Sequence, residues 1–68
     1  MKSNNNSIMI NSLVERIEPL LKYCGPYIVL DRTYSKIHHT FYLKLFNIKS
    51  MIISDYQYVD HYQPYNDE

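Results

Sequence analysis

Few side chains in this sequence have the chemistry for catalysis or metal binding. They are one thiol, Cys24, three histidines, His38, His39 and His61, and seven carboxylates. In a strand, the adjacent His38 and His39 point to opposite faces and do not share one metal ion. The sequence has no Cys-x-x-Cys or His-x-x-x-His spacing, so we predict no metal site.

Covalent and nucleotide-dependent chemistry are also disfavoured. Cys24 closes the apolar stripe of a predicted helix, where a buried thiol behaves as a small hydrophobe rather than as a reactive thiolate. Gly25 is the only glycine, whereas phosphate-binding loops need more than one. We therefore predict a protein that is not an enzyme and that has no cofactor and no catalytic residue.

One stretch resembles a family of RNA-cleaving enzymes. Leu20-Leu21-Lys22 ends the predicted helix, and His38-His39-Thr40-Phe41 opens a predicted strand. Residues 20–45 are thereby similar to the small toxins of the HicA family, which have a Gly-Ser-His-His-like signature and a fold like that of double-stranded-RNA-binding domains. The resemblance implies that His38 is the general acid or base of an RNA cleavage. The two residues before the histidines are not the Gly and Ser of that family.

A helix is predicted in the first third of the chain. Ser7 and Ser12 are candidate N-caps, Ser12 forms a capping box with Glu15, and Gly25 supplies a stop. Seven apolar residues recur at helical spacing: Ile10, Leu13, Val14, Ile17, Leu20, Leu21 and Cys24. Pro19 removes one backbone hydrogen bond inside this stretch, so the helix is predicted to be kinked there.

Three strands are predicted downstream, at residues 27–34, 39–46 and 51–62. These stretches are rich in β-branched and aromatic residues. A helix over 36–46 stays open as an alternative, because Ile37, Phe41 and Leu45 are four residues apart. For residues 54–62 the choice between strand and helix also stays open. Short connections favour antiparallel pairing. The predicted fold class is therefore α+β, with the N-terminal helix packed on a three-stranded antiparallel sheet.

The length of 68 residues allows one domain. We predict that it spans residues 7–62, after a disordered lead-in at 1–6 and before a polar acidic tail at 63–68. No apolar run approaches the roughly 20 residues needed to span a bilayer, and a single cysteine suits a reducing compartment. The cytoplasm of a bacterial or host cell is therefore the expected location, with no membrane partner.

The predicted sheet has more apolar surface than one helix covers. Period-two alternation places one set against the helix: Ile28, Leu30, Phe41, Leu43, Leu45, Met51 and Ile53. The opposite face would carry Tyr27, Val29, Tyr42, Phe46, Ile52, Tyr56 and Tyr58. A face meant for water alternates with polar residues, and this one is typical of a docking surface. We predict that a partner protein covers it, or a second copy in a homodimer.

Non-enzymatic protein binding is the function predicted from these observations. Eight of the 68 residues are tyrosines, which supply contact area at low entropic cost. Acidic residues interleave with tyrosines in 54–62 and would steer a basic partner. The predicted partner-binding residues are Tyr42, Phe46, Tyr56, Tyr58, Asp55 and Asp60. The class fits an inhibitor of a host protein that a phage or another mobile element encodes.

Nucleic-acid binding is the alternative function. Tyr42, Lys44 and Phe46 on one strand, with Tyr27, could stack on bases and meet phosphate. Modules of this kind usually carry excess basic charge, whereas this chain has seven basic and seven acidic residues and an acidic end. A small ribonuclease toxin, implied by the HicA resemblance, is the third hypothesis.

Overall fold

The computed structural model describes residues 8–65, with side chains for all of them except Lys22 and Tyr23. The predicted lead-in at 1–6 and the last three residues of the predicted tail lie outside the described residues. Six strands are present in the described part: β1 (Leu13–Arg16), β2 (Tyr27–Ser35), β3 (Thr40–Asn47), β4 (Ile52–Ile53), β5 (Gln57–Tyr58) and β6 (Tyr62–Pro64). Two segments are 3-10 turns, Pro19–Cys24 and Val59–His61.

The strands form one antiparallel sheet in the order β4-β3-β2-β1-β6. β5 pairs with the same edge of β3 that β4 occupies, further along that strand. The turn Val59–His61 then carries the chain from β5, at one edge of the sheet, to β6, at the other edge. The sheet is therefore curled, because three residues join its two edges.

The core lies inside this curl. Seven buried apolar side chains form it: Ile8, Val14, Val29, Leu43, Leu45, Val59 and Tyr62. Tyr27 and Phe41 pack against them, and the edge of one ring of the Tyr27–Tyr62 pair meets the face of the other at 5.5 Å. Because the core draws on both ends of the described chain and on the β2–β3 hairpin, burial couples these segments into one unit.

β2 contains a bulge at Leu30, where its register against β3 shifts between Val29 and Asp31. Val29 points into the core before the bulge. Arg32 lies on the core side after it, because it is opposite the buried Leu43. The bulge therefore turns Asp31 to the outer face, although alternation from Val29 alone places it inside.

The predicted N-terminal helix is wrong, and so is the α+β class, because residues 8–65 contain no α-helix. Residues 13–16 form β1, and the segment from Pro19 is a 3-10 turn. Pro19 cannot donate a helical hydrogen bond, and the stretch before it is too short to be a stable helix alone. β1 has hydrogen-bonding neighbours on both sides, β2 and β6, and this pairing outweighs the local helical pattern.

The apolar stripe that predicted the helix does not face the core as one surface. Val14 is fully buried, but Leu20 is 81% exposed and Ile17 is 45% exposed. Cys24 is exposed at the end of the 3-10 turn rather than buried at a helix end. Helical spacing fails here because a strand and a 3-10 turn carry the same residues in different directions.

The predicted strands at 27–34 and 39–46 correspond to β2 and β3, but a single third strand over 51–62 is wrong. That stretch holds β4, β5, the second 3-10 turn and the start of β6. The predicted three-stranded sheet is wrong as well, since β6 pairs with β1 instead of extending the β2–β3 hairpin. The break lets Val59 and Tyr62 enter the core, which one straight edge strand would not allow.

The predicted division of the sheet into two faces needs correction in β2 and β4. Val29, expected outside, is 0% exposed, whereas Met51 and Ile53, expected against the helix, are 69% and 56% exposed. The fold like that of RNA-binding domains, implied by the HicA resemblance, is also not found, because it requires α-helices. In residues 8–65, no helix has the length and apolar character needed to cross a membrane.

The predicted core, built on an N-terminal helix, and the observed core make opposite predictions for substitutions of Val29 and Leu20. Val29→Ala should lower the free energy of unfolding by about 2 kcal/mol, because a fully buried side chain loses two methyl groups. Leu20→Ala should change it by less than about 0.5 kcal/mol, because this side chain is exposed. Urea denaturation followed by circular dichroism measures both. The reverse order of the two effects would restore the helix-based core.

Candidate protein-binding face

An apolar row crosses the outer face of the sheet, the face turned away from the core. Leu13 lies opposite Ile28. Ile28 also lies opposite Phe46, and Phe46 lies opposite Ile53. Directly opposed side chains have Cβ atoms about 4.5–5.5 Å apart, so these four form one continuous strip, the apolar row. Tyr65 extends it, because its N–H donates to the Leu13 carbonyl at 3.0 Å.

The apolar row is accessible in the described part of the protein. Ile53 is 56% exposed, Leu13 41% and Tyr65 37%, while Ile28 and Phe46 are half-buried. The core residues lie on the other side of the sheet. A sheet face adapted to water does not carry an unbroken apolar line across four strands.

A polar group borders the apolar row on its β5 side. The Tyr56 hydroxyl donates to the Asp31 carboxylate, and the Lys44 ammonium lies 5.9 Å from the centre of the Tyr56 ring. The pKa of Asp31 is lowered by the Tyr56 hydrogen bond, by the Arg32 N–H and by the charge of Lys44. The same hydrogen bond to Asp31 raises the pKa of Tyr56. These contacts hold the Tyr56 ring against the outer face.

A second group on the outer face consists of His38, Tyr42, Tyr58 and His61, the tyrosine–histidine cluster. Tyr42 and Tyr58 are opposite each other on β3 and β5, and their rings stack at 4.8 Å. The Tyr42 hydroxyl is 2.7 Å from Nδ1 of His38, and the rings of both histidines lie near Tyr58, at 6.1 and 5.8 Å. A hydrogen bond between the phenols, with desolvation, raises the pKa of Tyr42.

The structure brings together four of the six residues predicted to bind a partner. On the outer face, Tyr42 of β3 lies opposite Tyr58 of β5, and Phe46 lies further along β3, opposite Ile53 of β4. Tyr56, in the segment between β4 and β5, is hydrogen-bonded to Asp31 on the same face. Their positions follow from β3, in which Leu43 and Leu45 point inward and the even-numbered residues point outward. The alternation predicted for β3 therefore matches the structure.

The two predicted acidic residues lie on connecting segments rather than on paired strands. Asp55 is exposed in the segment between β4 and β5, where its carbonyl accepts a hydrogen bond from the Gln57 amide at 3.3 Å. Asp60 is exposed on the second 3-10 turn. It lines an open pocket of about 450 Å³ with Arg16, Ile17, Glu18 and His61.

Sequence reasoning missed several members of the outer face. The sequence places Leu13 in a helix, and it places Ile28 and Ile53 on the side of the sheet that faces that helix. The outward position of Ile53 has a signal in the sequence, because a short turn after β3 brings it opposite Phe46, whose outward position alternation predicts.

Groups that could support catalysis are sparse in the described residues. His38 and His39 lie in the turn between β2 and β3 rather than on a strand, and His39 has a positive φ of 55°. The described chain holds no group of three or more His, Cys, Asp or Glu side chains that could bind a metal ion. Cys24 is an exposed free thiol at the opposite end of β2 from the tyrosine–histidine cluster.

No protein-family model, no curated protein and no solved structure matches this chain. Inference about its function therefore rests on the geometry of the outer face.

The bond between Tyr56 and Asp31 makes the stability of the protein depend on pH. A carboxyl whose pKa is lower in the folded state stabilises the fold above its ordinary value of 3.8, and this stabilisation is lost as the pH falls through the folded-state pKa. Tyr56→Phe removes the largest cause of the shift. Carbon-detected NMR titration should therefore show the Asp31 pKa moving up toward its ordinary value.

The matched control is Tyr65→Phe, which removes a phenol hydroxyl elsewhere on the outer face. It should leave the Asp31 titration unchanged. Equal Asp31 titration curves in the wild type and in Tyr56→Phe would contradict the proposed cause of the shift.

Proposed function

We propose that this chain is a small non-enzymatic module that binds another protein on its outer sheet face. The observation that carries the proposal is the apolar row, in which Leu13, Ile28, Phe46 and Ile53 stand directly opposite one another on four strands. Protein-binding patches combine an apolar centre with a rim of polar and aromatic groups. Tyr56, with its neighbours Asp31 and Lys44, supplies such a rim on one side.

The rigidity of the face supports the same function. The row lies on paired strands rather than in loops, so its side chains hold their relative positions without ordering on binding. The stacked pair of Tyr42 and Tyr58 is likewise fixed by strand pairing and by the contacts with the two histidines. Preorganised aromatic groups give contact area at small entropic cost.

The charge pattern favours a partner with a basic surface. The four acidic residues after Met51 include Asp55 and Asp60, both exposed, and this part of the chain has no Lys or Arg. Exposed carboxylates near a docking face steer a basic protein toward it. We place this action in the cytoplasm of a bacterial or host cell, as an inhibitor of a host protein encoded by a phage or another mobile element. The single cysteine is consistent with that compartment.

A nucleic-acid partner is the second candidate, and the tyrosine–histidine cluster is the observation that favours it. Tyr42 and Tyr58 offer an aromatic surface of the kind on which single-stranded bases stack. Lys44 lies on the same face of β3, but Tyr27, the other residue expected there, packs against the core. The nearby Asp31 and the absence of net positive charge make this the weaker proposal.

The substitution Ile53→Asp tests the first proposal, because it places a charge at the most exposed member of the apolar row. Captured partner should bind this variant at least about tenfold more weakly than the wild type, as expected at a buried contact. The measurement is affinity capture from host lysate with and without nuclease, followed by titration of the recovered partner.

Leu20→Asp is the matched control, since it makes the same kind of change at an exposed residue outside the row. It should bind the partner as the wild type does. A partner that is lost on nuclease treatment, or one that tolerates Ile53→Asp, would contradict protein binding through the row. Cleavage of RNA by the wild type but not by His38→Ala would instead support the ribonuclease hypothesis.

A further inference from the structure

β2 has an edge that is only partly paired. On the side away from β3, it pairs with β1 at Tyr27 and Ile28, and Val29 exchanges hydrogen bonds with Asn11 and Ser12. The chain then turns away from β2 at residues 9–12, where the N–H and hydroxyl of Ser12 both donate to the Met9 carbonyl. From residue 31 to residue 35, no described strand pairs with this edge.

Backbone groups of Arg32 and Tyr34 point to this free edge. The Leu45 carbonyl on β3 accepts the Ser54 N–H, so Leu45 and, by alternation, Leu43 direct their backbone groups away from β2. Arg32 lies opposite Leu43, and Tyr34 lies two residues further along β2. Both residues therefore direct N–H and C=O away from β3, toward the free edge. Free edges of this kind are templates for another strand.

We propose that residues 31–35 of β2 pair antiparallel with the same residues of a second copy of this chain, about a two-fold axis at Thr33. This register places Arg32 opposite Tyr34 of the second copy and Tyr34 opposite Arg32 of the second copy. Each such pair exchanges two backbone hydrogen bonds across the interface. The result is one continuous sheet that runs through both copies.

The side chains of β2 suit this self-pairing rather than a foreign strand. The two-fold register sets Thr33 against Thr33 and Asp31 against Ser35, and no like charges face each other directly. On the inner side, the Arg32 guanidinium lies 3.9 Å from the centre of the Phe41 ring, and Tyr34 packs edge-on against the same ring at 5.1 Å. The second copy continues this ladder of cationic and aromatic groups. The buried Nε of Arg32 has no partner within the described chain.

Pairing at this edge requires that one hydrogen bond of Asp31 be broken. Its carboxylate accepts the Arg32 N–H, which must move to the Tyr34 carbonyl of the second copy when the strands pair. The Tyr56 hydroxyl continues to hold Asp31 after that exchange. Because five residues bury less area than a standard interface, the dimer forms in a concentration-dependent equilibrium.

The proposed dimer is independent of the partner-binding face. The two-fold axis runs perpendicular to the sheet, so both outer faces lie on the same side of the dimer. Each copy therefore keeps its apolar row accessible, and a partner with two sites could meet both rows at once.

Disulfide trapping tests the register directly. In a Cys24→Ser background, Thr33→Cys places two thiols opposite each other in a pair without backbone hydrogen bonds, where the Cβ separation of about 4.5–5.5 Å allows a disulfide after a small shift. Mild oxidation should cross-link this variant at least about tenfold faster than Lys36→Cys in the same background, whose thiols would be about 20 Å apart in the proposed register. Equal rates, or no cross-link in either variant, would overturn the proposal.

A charge test gives a second readout. Thr33→Lys places two ammonium groups opposite each other at the two-fold axis. Thr33→Gln adds a long polar side chain there without a charge. Thr33 is exposed, so both variants should fold as the wild type does, which circular dichroism checks. Light scattering at increasing concentration should show the mass of the wild type and of Thr33→Gln rising toward the mass of a dimer. The mass of Thr33→Lys should stay at the value of a monomer. A wild type that stays monomeric throughout contradicts the proposal.

Ile53→Asp separates this proposal from the proposed function. It should weaken partner binding at least about tenfold. Combined with Thr33→Cys, it should leave the disulfide cross-link unchanged, because Ile53 lies on β4, away from the free edge of β2. Loss of the cross-link on adding Ile53→Asp would place the self-association on the outer face and would contradict pairing through β2.

Discussion

The pairing of β6 with β1 is the constraint on which the rest of this structure depends. β1 is only four residues long, and it holds its place because β2 and β6 flank it on both sides. The connection from β5 to β6 spans only the three residues Val59–His61, so the sheet has to curl for this pairing to form. Val59 and Tyr62 then close the core over Val14 and Leu43. A chain of this size buries a smaller fraction of its surface than a larger domain does, and the closure draws on both ends of the described residues.

The outer face follows from the same closure. Once Leu43, Leu45 and Val29 occupy the inside of the curl, alternation forces Phe46 and Ile28 to the outside, where Leu13 and Ile53 join them. The residue count of a small domain makes this unavoidable, because the curl is too narrow to bury every apolar side chain of its strands. The exposed row is thus a product of the fold, and it is the surface on which we propose that a partner protein binds.

The bulge at Leu30 divides β2 into two parts with different roles. The part before it is held between β1 and β3 and contributes Val29 to the core. The part after it extends beyond β1, keeps one edge free and turns Asp31 outward to meet Tyr56. Bulges near functional surfaces often redirect one side chain in this way. Here the bulge connects the rim of the proposed binding face to the edge proposed for self-association.

The amino-acid sequence by itself favoured the two strands of the β2–β3 hairpin over a helix at 36–46, and it determined which residues share a face of β3, with Tyr42 and Phe46 on the same side. These features rest on local propensity and on the period-two pattern of contiguous residues, which need no distant partner. Only the tertiary structure decided that residues 13–16 form a strand, that 51–62 break into short pieces and that Val29 rather than Leu30 faces the core. Each of these depends on a contact between residues far apart in the chain, and a helical spacing of apolar residues competes poorly with two flanking strands.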